Sequence, residues 1–163
     1  MVTDRFVTVH LNMEKERILP TFTELPELLE TWGLTTRAQE TLWVISFDSI
    51  EQIRTVAEVA QGNYHRMEIP IPAVLSAVFL SGTDRFCIAH NHPSGDISPT
   101  VNDLHLTNVL MTAANACGLY FEDHLIVGPN GKRYSFVDGG LLIRSDELAT
   151  LAKNGARVVK NKV

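Results

Sequence analysis

Residues 85–103 read RFCIAHNHPSGDISPTVND, and the organisation of the whole chain follows from this stretch. Residues 85–89, apolar after Arg85, are of strand length and are set off upstream by Ser81-Gly82. They feed HNHPSGDISPT, where Pro, Gly, Asp and Ser crowd together and require a loop. Ser98 followed by Pro99 supplies an N-cap and first-turn pair, so a helix is expected from there to about Cys117, stopped by Gly118. A strand, a short loop and a helix in that order make one unit of an α/β fold.

The flanking sequence repeats this alternation. Leu25, Leu28, Leu29 and Trp32 recur at helical spacing before Gly33, and apolar runs predict strands over 41–47 and 53–60. Pro70 and Pro72 lead into a helix with Val74, Ala77 and Val78 on its apolar face. Downstream, 120–127 and 132–137 read as strands joined across Asn130-Gly131, a dipeptide that accepts the positive φ angles of a tight hairpin. Residues 5–11 alternate as a short strand, and 146–158 predict a peripheral helix. Interleaved strands and helices predict an α/β sandwich around a mixed sheet.

A chain of 163 residues, 45 % hydrophobic and 20 % charged, suits one domain over 1–143 with its own core, followed by a basic tail over 144–163. No apolar run approaches the roughly 18–20 residues of a membrane span, and the N-terminus lacks a basic segment followed by an apolar one, so a cytoplasmic protein is expected. Cys87 and Cys117 sit in apolar segments and read as reduced thiols. The net charge of −5 divides into +3 on the tail, with five basic and two acidic residues, and −8 on the remainder. Such a body is a poor footprint for a polyanion, which leaves only the tail for nucleic acid.

The chemistry concentrates at His90 and His92. Imidazoles one residue apart on extended backbone point to the same side and can grip one ion. A hydrolytic zinc site uses three protein ligands and leaves a fourth position for water, and Asp103, early in the following helix, is the natural third ligand. The activated water needs a carboxylate as proton acceptor, and Glu58, late in the strand over 53–60, fits, with Glu51 and Glu68 as rivals. A surface pairing of Glu58 with Arg54 is the plainer alternative. Cys87 should face away from His90, while His10, His65 and His105 read as solvated or structural. His124, beside Asp123, either orients a ligand or simply packs. The His-x-Glu and Pro-Cys-x-x-Cys of zinc deaminases and the His-Glu-x-x-His of zincins are absent.

The spacing His90, His92, Thr100, Asp103 resembles the metal motif of the JAB/MPN/JAMM metalloproteases. Glu58 followed by Gly62, then HNHPSGD, then DHLIVGPNGKRYSF over 123–136 is similar to the RadC-like branch of that family. The resemblance covers about 20–143, with 1–19 as an added N-terminal strand segment. It implies a cytidine-deaminase-like three-layer αβα sandwich, Zn²⁺ held by His90, His92 and Asp103, and hydrolysis of a peptide or isopeptide bond in a peptide or protein substrate, ubiquitin-like ones included. It also selects Glu58 as the acid/base residue and adds Thr100 as a hydrogen-bond partner of the reacting water or oxyanion. Thr100 stands where the family usually has Ser, IPIPAVL over 69–75 replaces the usual His-Pro-Arg-Glu stretch, and 1–19 is too short for a helix-hairpin-helix module. A non-catalytic metal-containing binding module and a DNA-processing accessory protein are the alternative readings.

Overall fold

The computed structural model describes residues 20–62 and 71–143, together with the backbone of 7–10. The expected tail helix, His65, Glu68 and most of the segment over 63–72 lie outside the described residues. Three helices are described: α1 (Leu25–Thr31), entered through a short 3-10 turn at Phe22–Glu24, α2 (Ile71–Ser81) and α3 (Val101–Ala116). The strands are β1 (Val7–His10), β2 (Thr41–Phe47), β3 (Ile53–Gln61), β4 (Arg85–Asn91), β5 (Tyr120–Val127) and β6 (Arg133–Ser135).

They form one mixed sheet in the order β1-β3-β2-β4-β5-β6. Only the β4–β5 pair is parallel among the described strands, and α3 is the crossover that such a pair requires. Every residue of β2 is buried, as befits a strand covered on both faces. Leu42 and Val44 join Phe86, Ile88, Leu106, Leu110 and Val78 beneath α2 and α3. Trp43, Ile45 and Phe47 point the other way, into a second core with Leu25, Leu29 and Leu34 around α1. Helices thus cover both faces of the sheet, giving an α/β molecule of three layers.

Two boundaries differ from expectation, for local reasons. The strand β4 runs on through His90 to Asn91, because Leu42 and Ile126 flank His90 in ladder register on either side. The cap of α3 is Thr100 rather than Ser98: Thr100 and Asp103 exchange bonds in a capping box, whereas the Ser98 amide turns back to Asp96. The β5–β6 hairpin forms as predicted, with positive φ at both Asn130 (60°) and Gly131 (70°).

Candidate metal centre

Three elements converge where β4 ends. β4 delivers His90 onto the face beneath α2 and α3, and the chain then turns through the loop over 92–100. Gly95, at φ +78°, takes the backbone around this loop in a conformation that side chains disfavour. At the neighbouring end of β5, Gly128 admits the loop: a Cβ there would stand 2.9 Å from the Ile97 methyl. Asp103 follows at the third position of α3, its side chain directed back toward the strand end.

The result is a compact cluster. His90 Nε2 lies 3.0 Å from His92 Nε2 and 3.2 Å from Asp103 Oδ1, while His92 Nε2 is 3.6 Å from Asp103 Oδ2. The fourth member is Glu40, whose Oε1 is 3.8 Å from His90 Nε2. One ligand atom from each of these four residues falls within 4.8 Å of the others, so the cluster can hold a metal ion. His90 and Asp103 are fully buried, whereas the His92 and Glu40 side chains keep 11 % and 18 % of their surface, which puts the open side of the centre at this second pair.

Hydrogen bonding shows that these donors suit a cation. His92 Nδ1 is 2.6 Å from the Asp96 carbonyl, which can only accept, so Nδ1 carries the proton and neutral His92 turns the lone pair of Nε2 into the cluster. A lone pair and a carboxylate converging in a buried space call for positive charge. The titration behaviour agrees. Burial pushes the Asp103 pKa up, but its closeness to the two imidazoles and the Thr100 hydroxyl overcomes this and holds the carboxyl well below the usual carboxylate range. The nearby Asp103 carboxylate raises the His92 pKa against its burial, with help from the Asp96 carbonyl. Burial lowers that of His90 despite Asp103.

Thr100 is engaged with Asp103 rather than with the open side. Its hydroxyl donates to Asp103 Oδ2 at 2.6 Å, and its amide donates to the same oxygen at 2.7 Å. Its structural effect is to orient the carboxylate. Cys87 does face away from His90, in the α1 core, and His105 is exposed on α3.

Glu58 is not brought to the cluster. In the ladder it stands opposite Trp43, between Ala57 and Val59, whose side chains pack on the α2–α3 side, so its own side chain lies on the α1 face. There its Oε2 meets Arg37 at 3.3 Å, and the Arg37 guanidinium lies over the Trp43 ring. β2 also separates β3 from β4. Arg54 pairs instead with Asp48.

Glu40 occupies the position expected of Glu58. It immediately precedes β2, and because β2 runs antiparallel to β4, the start of one lies beside the end of the other. The signal in the sequence is a carboxylate directly ahead of a largely apolar strand, which gains meaning only once the strand order is known. Asn91 carries no comparable signal in the sequence. Its side chain accepts from the Thr41 amide at 2.9 Å and donates to the carbonyls of Arg37 (3.0 Å) and Gln39 (3.2 Å), clamping the backbone on both sides of Glu40. A buried Asn between two ligands can satisfy its amide only through such bonds.

A buried histidine and carboxylate at a strand end, with a second histidine and a glutamate on the open side, fit a metal-dependent hydrolase on an α/β scaffold. The chain belongs to the RadC-like JAB domain family, whose sequence pattern matches residues 23–141. A UPF0758 protein of Porphyromonas gingivalis is 31 % identical over 109 residues, covering 67 % of this chain and 48 % of that protein. A UPF0758 protein of Paraburkholderia xenovorans is 33 % identical over 105 residues (64 % and 41 %), and one of Flavobacterium johnsoniae 28 % over 102 (63 % and 44 %). The chain thus spans less than half the length of these curated relatives.

Proposed function

We propose that the chain is a zinc-dependent hydrolase that cleaves peptide or isopeptide bonds, with His90, His92 and Asp103 as ligands and Glu40, in place of Glu58, as the proton-transfer residue. The observation that carries this reading is the meeting of Glu40 with two histidines and Asp103 at one strand end. Ligand bonds of about 2.0–2.1 Å imply ligand atoms roughly 3.3 Å apart around a tetrahedral ion. His90 Nε2 stands 3.0 Å from His92 Nε2 and 3.2 Å from Asp103 Oδ1, both near that spacing, and the 3.8 Å to Glu40 lies beyond it. His90, His92 and Asp103 would therefore hold zinc, which leaves the Glu40 carboxylate for proton transfer.

When bound, zinc supplies Lewis acidity, polarising a substrate carbonyl and making water a stronger acid near neutral pH. The protein's share is positioning and proton transfer. Glu40, on the open side, takes the proton of the attacking water at its carboxylate and returns it to the departing amine. Asn91 holds the Glu40 backbone in place, and Thr100 fixes the carboxylate of Asp103. A peptide or protein substrate, ubiquitin-like chains included, would approach past His92. The three-layer arrangement supports a cytidine-deaminase-like reading of the fold, and two free thiols suit a cytoplasmic setting.

The test is Glu40→Gln. It should retain one zinc per chain while hydrolysis of labelled peptide and isopeptide substrates falls on the order of 10²-fold or more, and Glu58→Gln should keep wild-type turnover. Wild-type rates in Glu40→Gln would refute the assignment. A zinc-loaded wild type that binds such chains and cleaves none would instead make the protein a binding module.

A further inference from the structure

Behind His90 lies a second, fully buried set of polar groups that the proposed reaction does not use. His90 Nδ1 is 2.8 Å from His124 Nε2, and His124 Nδ1 is 2.7 Å from the Thr107 hydroxyl. That hydroxyl donates to the backbone carbonyl of Asp103 at 2.7 Å. The chain of bonds thus leaves one ligand through its ring and returns to another through its backbone.

We infer that His124 and Thr107 are positioning residues that hold His90 in the tautomer with its proton on Nδ1, so that Nε2 offers a lone pair to the centre. The direction follows from counting protons. The Asp103 carbonyl can only accept, so the single hydroxyl proton of Thr107 is committed to it. Thr107 Oγ1 therefore accepts from His124, whose Nδ1 must carry the proton. Neutral His124 then has a bare Nε2, which accepts from His90 Nδ1–H, and the remaining nitrogen of His90 is bare. Helix α3 would in this way dictate the protonation pattern of a strand ligand through two side chains.

The surroundings leave little freedom for rearrangement. His124 is wholly buried and stacks on Phe136, with ring centroids 4.4 Å apart and planes at 18°. Its backbone is pinned as well: its amide donates to Asp123 Oδ1, and its carbonyl accepts from the Phe136 amide. Asp123 also accepts from the Ser135 hydroxyl and the Val137 amide. The stretch from Asp123 to Phe136 thereby gains a purpose, since its Asp, His, Ser and Phe together build the mount for the ring behind His90.

This inference rests on the metal-site reading, and the experiment keeps the two separable. Long-range proton–nitrogen correlation spectra of histidine-labelled apo protein should show His90 and His124 both as Nδ1–H tautomers. Thr107→Val, close in shape but without the acceptor, should lose that pattern and weaken zinc affinity, measured against a competing chelator, by about 10–100-fold. Thr107→Ser should restore both. A wild-type His90 protonated on Nε2, or a Thr107→Val protein with unchanged tautomers and unchanged affinity, overturns the inference. If Thr107→Val fails to fold, the wild-type spectrum decides alone. Wild-type protein with the expected tautomers but no zinc binding would sink the metal-site reading and leave the relay standing.

Discussion

Asn91 illustrates how a residue between two ligands can matter as much as they do. Its amide makes three bonds to the chain over 37–41, some 50 residues away in sequence, the one from the Thr41 amide buried and the two to carbonyls part-buried. Asn91→Ala would leave the buried Thr41 amide without this acceptor and free the two carbonyls, a cost of about 1–3 kcal/mol. Because those groups flank Glu40, turnover should fall on the order of tenfold or more, while zinc stoichiometry stays at one because His90 and His92 are kept. Urea denaturation, metal analysis and kinetics on one preparation check this, and unchanged turnover in a destabilised variant would count against the clamp. Glu40 and Glu58 draw the complementary lesson. Each is a carboxylate near an end of a predicted strand, but Glu58 lies on β3 and on the α1 face, whereas Glu40 leads into β2, the strand next to β4. That choice depends on strand order and on bulges in the β2–β3 pairing, one at Leu42/Trp43 and one at Ser46/Phe47, which a period of two does not contain.

Among the elements, those whose sequence signal is local were read most closely. The largely apolar Thr41–Phe47 run is β2 as predicted, and Asn130-Gly131 closes the β5–β6 hairpin. The cap of α3 was misplaced because Ser98-Pro99 and Thr100-x-x-Asp103 are both valid start signals two residues apart, and only the second also engages a ligand carboxylate. The turn between β2 and β3 shows a local device with a pH signature. Asp48 Oδ1 accepts from the amides of Ile50 and Gln52, each at 3.0 Å, and Oδ2 accepts from Arg54 Nε at 2.8 Å. Burial raises its pKa, but the Gln52 amide, Arg54 and the Ile50 amide outweigh this and leave it lowered. A lowered folded-state pKa means that the folded protein favours the carboxylate. Its contribution is therefore complete above the unfolded value of about 4 and is lost as pH falls through the folded value. Asp48→Ala should cost about 1–2 kcal/mol at neutral pH, and the gap from wild type should narrow in acid. Urea titrations at both pH values test it, and a gap that ignores pH would contradict it.

For the molecule as a whole, the α/β plan with a mixed sheet is legible because strand and helix periods alternate along the chain, the three layers follow only from the family resemblance, and the side on which each helix packs is not legible. No helix among the described residues is long and apolar enough to cross a membrane. The centre lies deep on one flank and shallow on the other, with His90 and Asp103 sealed between β4 and α3 and with His92 and Glu40 at the lip. On the proposed zinc reading, this asymmetry would govern traffic of the ion. A small chelator can approach past His92 while the two inner ligands still hold, so zinc should leave by associative exchange, at a rate that rises with chelator concentration. A rate independent of chelator, followed by stopped flow, would mean that the protein must first open. The inner pair would keep the ion in register, and the exposure of His92 at the lip would set how fast it is traded.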